Sequence, residues 1–169
     1  LRSIQQKDLN DLDTEARVLG VIRPTTEMIG RQTKTNSIGI LATNGTVQSQ
    51  SYLIEVEKFF PDVKIEQEAC PMWVPLVENN EHQSHGADFF VKKNLKSIFE
   101  KGTDIDVLLL ACTHYPLLKE KIHEHLPIGV KLVSQGEIVA ESLEDYLSRH
   151  PEIEAACSKN GQRVFYTTD

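Results

Sequence analysis

Short, mainly apolar runs recur along this 169-residue chain, at residues 17–22, 37–42, 63–69, 106–111 and 130–133. Runs of this length suit strands buried on both faces, as in parallel sheets. Between them the spacing turns helical. Over residues 46–60, Val47, Leu53, Ile54, Val56 and Phe60 share one broad face. Residues 88–101 follow the same rule and stop at Gly102, a natural helix terminator, while 117–126 and 137–147 complete the set. Strand–helix alternation over the whole length predicts an α/β fold, a three-layer sandwich around a mainly parallel sheet. Segment 68–81 interrupts the pattern with Pro71, Pro75 and the sole tryptophan, Trp73, and reads as a shaped turn. At the ends, Leu1, Ile4 and Leu9 read as an uncapped helix and residues 163–168 as a strand with nothing after it, so the chain is expected to be a piece of a longer protein.

Composition narrows the possibilities. Forty percent of the residues are hydrophobic and 25% charged, an ordinary globular balance that excludes disordered and collagen-like classes. Eighteen basic against 25 acidic residues leave a net charge of −7, so nucleic acid is not expected as a main partner. No apolar run reaches the ~20 residues that cross a bilayer, and no membrane association is expected. The three cysteines, Cys70, Cys112 and Cys157, are odd in number and lack CxxC spacing, which fits a reduced cytoplasm.

In α/β sheets ligands bind beyond the carboxyl ends of the strands, so the turns there are where chemistry is expected. The strongest candidate follows the run 106–111. A buried strand delivers Cys112 to its end, Thr113 and His114 come next, and a helix starts near Pro116. Helix-end amides favour a thiolate and can receive a carboxylate, and His114 can carry a proton. A cysteine ending a strand is by itself more often structural; the Thr-His pair behind it tips the reading towards a reactive thiol. A second turn, Thr43-Asn44-Gly45-Thr46, offers hydroxyls and amides to a small anion, although Thr46 could simply cap its helix. It lacks the pattern of a nucleotide-binding loop. In the third turn Glu78 could bias a neighbouring proton carrier or be a solvated carboxylate. Cys70 is expected to pack as a small hydrophobe and Cys157 to lie in an exposed tail. The pairs Cys112-x-His114, His82-x-x-His85 and His123-x-His125 do not repeat with zinc-module spacing, and no metal site is expected.

The octet ACTHYPLL, residues 111–118, resembles the second-cysteine motif of bacterial glutamate racemases. ILATNGTVQSQSY (40–52) and ACPMWVPLVE (69–78) resemble that family's threonine turn and its alanine-cysteine-proline stretch, in the same order. The resemblance implies an isomerase that interconverts L- and D-glutamate for peptidoglycan without a cofactor, using two thiols on opposite faces of the substrate. It implies that Cys112 is one of these acid/bases, that Thr113 and His114 bind the substrate carboxylate and handle protons, that Thr43 and Thr46 bind substrate, and that Glu78 is an auxiliary acid near His114. It further implies two pseudo-symmetric lobes: a remnant of the first over residues 1–23, a complete second lobe over 24–130 carrying Cys112, and a return segment of the first lobe over 131–169. The family's other catalytic cysteine has no counterpart here, so the fragment itself is expected to be inactive. Ser134 stands where the family usually has aspartate, with little effect expected because a helix can still be capped there. Apolar surface left by a missing lobe predicts a homo-oligomer. The alternatives are another amino-acid racemase or decarboxylase of the same superfamily and, from other classes, a Cys-His thiol hydrolase or a non-catalytic carboxylate-binding module.

Overall fold

The computed structural model describes Ile4 and residues 17–167. Four strands, β1 (Ser37–Ala42), β2 (Lys64–Ala69), β3 (Val107–Leu110) and β4 (Lys131–Ser134), form one sheet in the order β2-β1-β3-β4, and every pairing is parallel. The two central strands, β1 and β3, are buried at every position, which is why they read as unbroken apolar runs. β2 is an edge strand, half-exposed along most of its length, so its sequence KIEQEA mixes polar and apolar residues.

Helices cover both faces. On one lie α1 (Ile22–Gln32), α3 (Ser51–Phe59) and α7 (Gln135–Arg149), packed around Ile29, Ile38, Ile40, Tyr52, Val107, Leu109 and Ile138. On the other lie α4 (Trp73–Glu78), α5 (His85–Lys101) and α6 (Lys119–His125), packed around Trp73, Val91, Leu95, Ile98, Leu108, Tyr115 and Ile122. Alternate residues of β1 and β3 feed the two clusters, the period-two geometry of a strand between two helical layers. Gly39 allows a close approach on β1: a Cβ there would lie 2.8 Å from Leu108 Cδ1 and 3.0 Å from Ile98 Cδ1, and these side chains would have to shift. The short α2 (Asn44–Ser49) and α8 (Pro151–Ala156) complete the elements.

Several expectations are corrected. Residues 17–22 are not a strand. Arg17 to Gly20 are irregular and Ile22 opens α1. The helix expected over 46–60 is two, α2 and α3, separated at Gln50 in the left-handed conformation (φ 50°, ψ 20°). Segment 68–81 contains α4: Pro75 sits at its third position, where no intrahelical amide is needed. The helix near Pro116 begins as a single 3-10 turn, Tyr115–Leu118, before α6. Residues 163–167 are irregular, with Val164, Phe165 and Tyr166 exposed; Thr168 lies outside the described residues, as do Leu1 and Leu9 of the expected first helix. β4 pairs with β3 from Val107↔Lys131 to Leu110↔Ser134, and α7 packs on α1. Among the described residues no helix is long and apolar enough to cross a membrane.

Candidate active site

The chain runs from β1 to β2 on one side and then to β3 and β4 on the other, so the crossovers diverge between β1 and β3. Such a switch point opens a crevice at the carboxyl ends of its two strands. The parallel register Leu41↔Leu110 continues through a hydrogen bond from the Ala111 amide to the Leu41 carbonyl at 2.9 Å. Thr43 and Cys112 therefore leave the sheet side by side, on neighbouring strands roughly 5 Å apart.

Cys112 is half-buried, Thr113 exposed and His114 half-buried. The Cys112 sulfur stands 3.8 Å from His114 Nδ1, and His114 Nε2 meets a carboxylate oxygen of Glu78. Residues from the β3 and β2 ends thus form one line: thiol, imidazole, carboxylate.

Local packing explains why Glu78 is present. α4 buries Trp73 and Val77 against the core, which turns Glu78, at its last position, outward. The ring of Trp73 meets Tyr115 edge-on at a centroid distance of 4.8 Å, and the Tyr115 hydroxyl donates to the Cys70 carbonyl at 3.1 Å. These contacts brace the segment after β3 against the segment after β2, holding His114 opposite Glu78. Burial raises the Tyr115 phenol well above its usual range, so it stays a donor.

Thr43 is the N-cap of α2: its hydroxyl accepts from the Thr46 amide at 3.4 Å and lies 3.1 Å from the Thr46 hydroxyl. The cap is therefore Thr43 rather than Thr46, and both hydroxyls stand at the β1 end of the crevice. The expected helix-end contribution at Cys112 is small, because only a four-residue 3-10 turn begins there and Cys112 precedes its first residue by three. The structure thus brings Cys112, His114 and Glu78 into one chain of contacts and pairs Thr43 with Thr46; Thr113 makes no side-chain contact that assigns it a role.

Other polar groups were not legible as site residues. Gln135, the first residue of α7, donates from Nε2 to the Tyr52 hydroxyl at 2.5 Å and to the Thr25 hydroxyl at 3.3 Å. Tyr52 occupies a helical core spacing and Thr25 sits in an unforecast helix, so only long-range packing unites them. Cys70 is fully buried, and burial, followed by the nearby Glu68 charge, pushes its thiol well above the ordinary range; Cys157 is exposed. Among the described residues, Asp88, Glu124 and His125 bring one ligand-type atom each within 4.8 Å of one another, with His125 Nε2 2.6 Å from Asp88 Oδ1. That trio joins α5 to α6 and takes only His125 from the His123-x-His125 pair of the sequence. It is a half-buried ion pair of His125 with Asp88, flanked by the exposed Glu124.

No family model matches the chain. A glutamate racemase of Lactiplantibacillus plantarum is 36% identical over 154 residues, covering 89% of this chain and 55% of the relative. The chain is homologous to the glutamate racemases. A glutamate racemase isoform of Bacillus anthracis has the same fold with a TM-score of 0.76 and 30% identity, covering 88% of this chain and 55% of that one. The glutamate racemase of Thermus thermophilus, solved with beta-chloro-D-alanine, gives a TM-score of 0.71 and 30% identity over 95% of this chain and 56% of its own. The chain spans about half the length of the curated racemases it matches. These relatives are isomerases, and their parallel α/β architecture is the one found here. At the family's aspartate position Ser134 occupies the N-cap of α7 but makes no side-chain cap hydrogen bond, contrary to the expected cap.

Proposed function

We propose that this chain carries one half of the acid/base machinery of a cofactor-independent glutamate racemase, with Cys112 as the thiol on one face of the substrate. The observation that carries the reading is the Cys112–His114–Glu78 line at the β1/β3 switch point, beside Thr43 and Thr46. In the proposed step the Cys112 thiolate takes the α-proton of glutamate and becomes a thiol, leaving the C–H electron pair on the α-carbon. A second thiol delivers a proton to the opposite face and becomes a thiolate. Nothing is oxidised, and the pair runs in either direction. A thiol has a reference pKa of about 8.5, so both protonation states are accessible near neutrality. His114, held by Glu78, stands beside the sulfur, Thr43, Thr46 and Thr113 hold the substrate, and the product D-glutamate supplies peptidoglycan in a reduced cytoplasm.

The opposing thiol is assigned outside these residues. Cys70 is sealed in the core and Cys157 belongs to the exposed C-terminal side of α8. The 169-residue chain is therefore expected to leave the circular dichroism of L- or D-glutamate unchanged. Glutamate should nevertheless slow alkylation of Cys112, followed by peptide mass spectrometry. Net inversion by this chain alone overturns the need for an outside thiol; alkylation indifferent to glutamate overturns glutamate as the substrate of this site.

One observation favours a second reading. A thiol hydrolase needs a third group to orient its histidine, and Glu78 does that here. A burst of acyl-enzyme with activated esters, abolished by Cys112→Ser, would select it over the racemase.

A further inference from the structure

Hydrogen-bond accounting around Gln135 leaves one buried donor without an assignment. The Thr25 hydroxyl donates to the Val21 carbonyl at 2.7 Å, which commits its only hydrogen. Towards Gln135 it can therefore only accept, and so Gln135 must present its NH2 group. The same NH2 faces the Tyr52 hydroxyl, so Tyr52 also accepts, and its own O–H hydrogen is spent on none of these groups. Tyr52 is only 2% exposed, and its ring packs in the cluster that contains Ala42 and Ala111, the residues immediately before Thr43 and Cys112. A buried phenol with a free hydrogen needs an acceptor.

We propose that Tyr52 is a positioning residue for Cys112, donating its free O–H towards the sulfur through a bridging water or ligand atom and so favouring the thiolate. This deepens the reading above, since it takes Cys112 as the reactive thiol, but it does not depend on glutamate. Thr25 and Gln135 set the direction of the hydrogen from helices α1 and α7, without touching the sulfur themselves. In support, burial, opposed by the Gln135 contact and reinforced by the Cys112 charge, pushes the phenol up to about 12, so Tyr52 remains a donor through the range in which thiols titrate. Among the described residues, the other titratable groups near Cys112 are His114, with Glu78 behind it, Cys70 and Tyr115.

The test is the rate–pH profile of Cys112 alkylation by iodoacetamide, read by peptide mass spectrometry on the 169-residue chain without glutamate. Tyr52→Phe keeps the ring and deletes the hydrogen. The profile is expected to move to higher pH, with alkylation at pH 7 slowed roughly fivefold. Thr25→Val provides a second route. Without the threonine acceptor, Gln135 can turn its carbonyl to Tyr52 and capture the hydrogen, so the profile is expected to move the same way. A general loss of packing would instead expose the thiol and speed alkylation. Profiles unchanged in both variants overturn the assignment of Tyr52, whereas loss of glutamate protection in the unmodified chain overturns only the substrate reading.

Discussion

Single side chains set the chemistry of this site through charge. Glu78 reaches His114 from the surface, with its own side chain 63% exposed, so the pair is screened and its worth is modest. Glu78→Gln is expected to slow Cys112 alkylation at pH 7 by a factor of roughly two to five, the scale of an exposed ion pair. The difference should shrink as salt is raised. Asp106 shows the same physics in a structural role. Burial opposes its ionisation, but hydrogen bonds from the Thr33 hydroxyl and the Lys34 and Thr35 amides outweigh it and hold the carboxyl below its usual range. A carboxyl lowered in the folded state stabilises above its unfolded pKa, about 3.9, and that stability is lost as pH falls through the folded value. Urea unfolding of Asp106→Asn should therefore show a shallower acid limb than the unmodified chain, with the two curves running parallel above about pH 5.

At the scale of elements, tertiary demand cuts what local periodicity would have joined. The apolar spacing of residues 46–60 is continuous, yet Gln50 adopts a left-handed conformation that ends α2 and redirects α3, bringing Tyr52 and Val56 into the core. That conformation costs a residue with a Cβ about 1–2 kcal/mol. Gln50→Gly is expected to raise the unfolding free energy by about 0.5–1 kcal/mol, and Gln50→Val to lower it by at least that much, both measured by urea denaturation. α4 escaped notice for the opposite reason. Pro71 and Pro75 signal a turn, but Pro71 lies before the helix and Pro75 falls in the first turn of its six residues, where a missing amide costs nothing. The central strands were legible because burial on both faces demands unbroken hydrophobicity; residues 17–22 carry the same signature, yet the four described strands form the sheet without them.

At the scale of the molecule, Val164, Phe165 and Tyr166 are 57%, 89% and 92% exposed, and Leu19 and Val21 are about half-exposed. Successive uncovered aromatic side chains favour association. The chain is expected to self-associate with rising concentration in sedimentation velocity, and Phe165→Ser with Tyr166→Ser to restore the monomer; a concentration-independent monomer in the unmodified chain counts against this surface as a contact.

The sequence alone determined the layered α/β class, the buried strands β1 and β3, and the arrival of Cys112 and His114 at a strand end, because each follows from periodicity or from neighbours within a few residues. The tertiary structure decided which distant groups meet. Glu78 faces His114 across 36 residues only because Trp73 and Tyr115 lock two crossovers together, and Gln135 reaches Tyr52 only because β4 lays α7 beside α1 and α3. Hydrogen bonds between remote side chains depend on register and packing angle, and these are set by the sheet as a whole rather than by any stretch of residues.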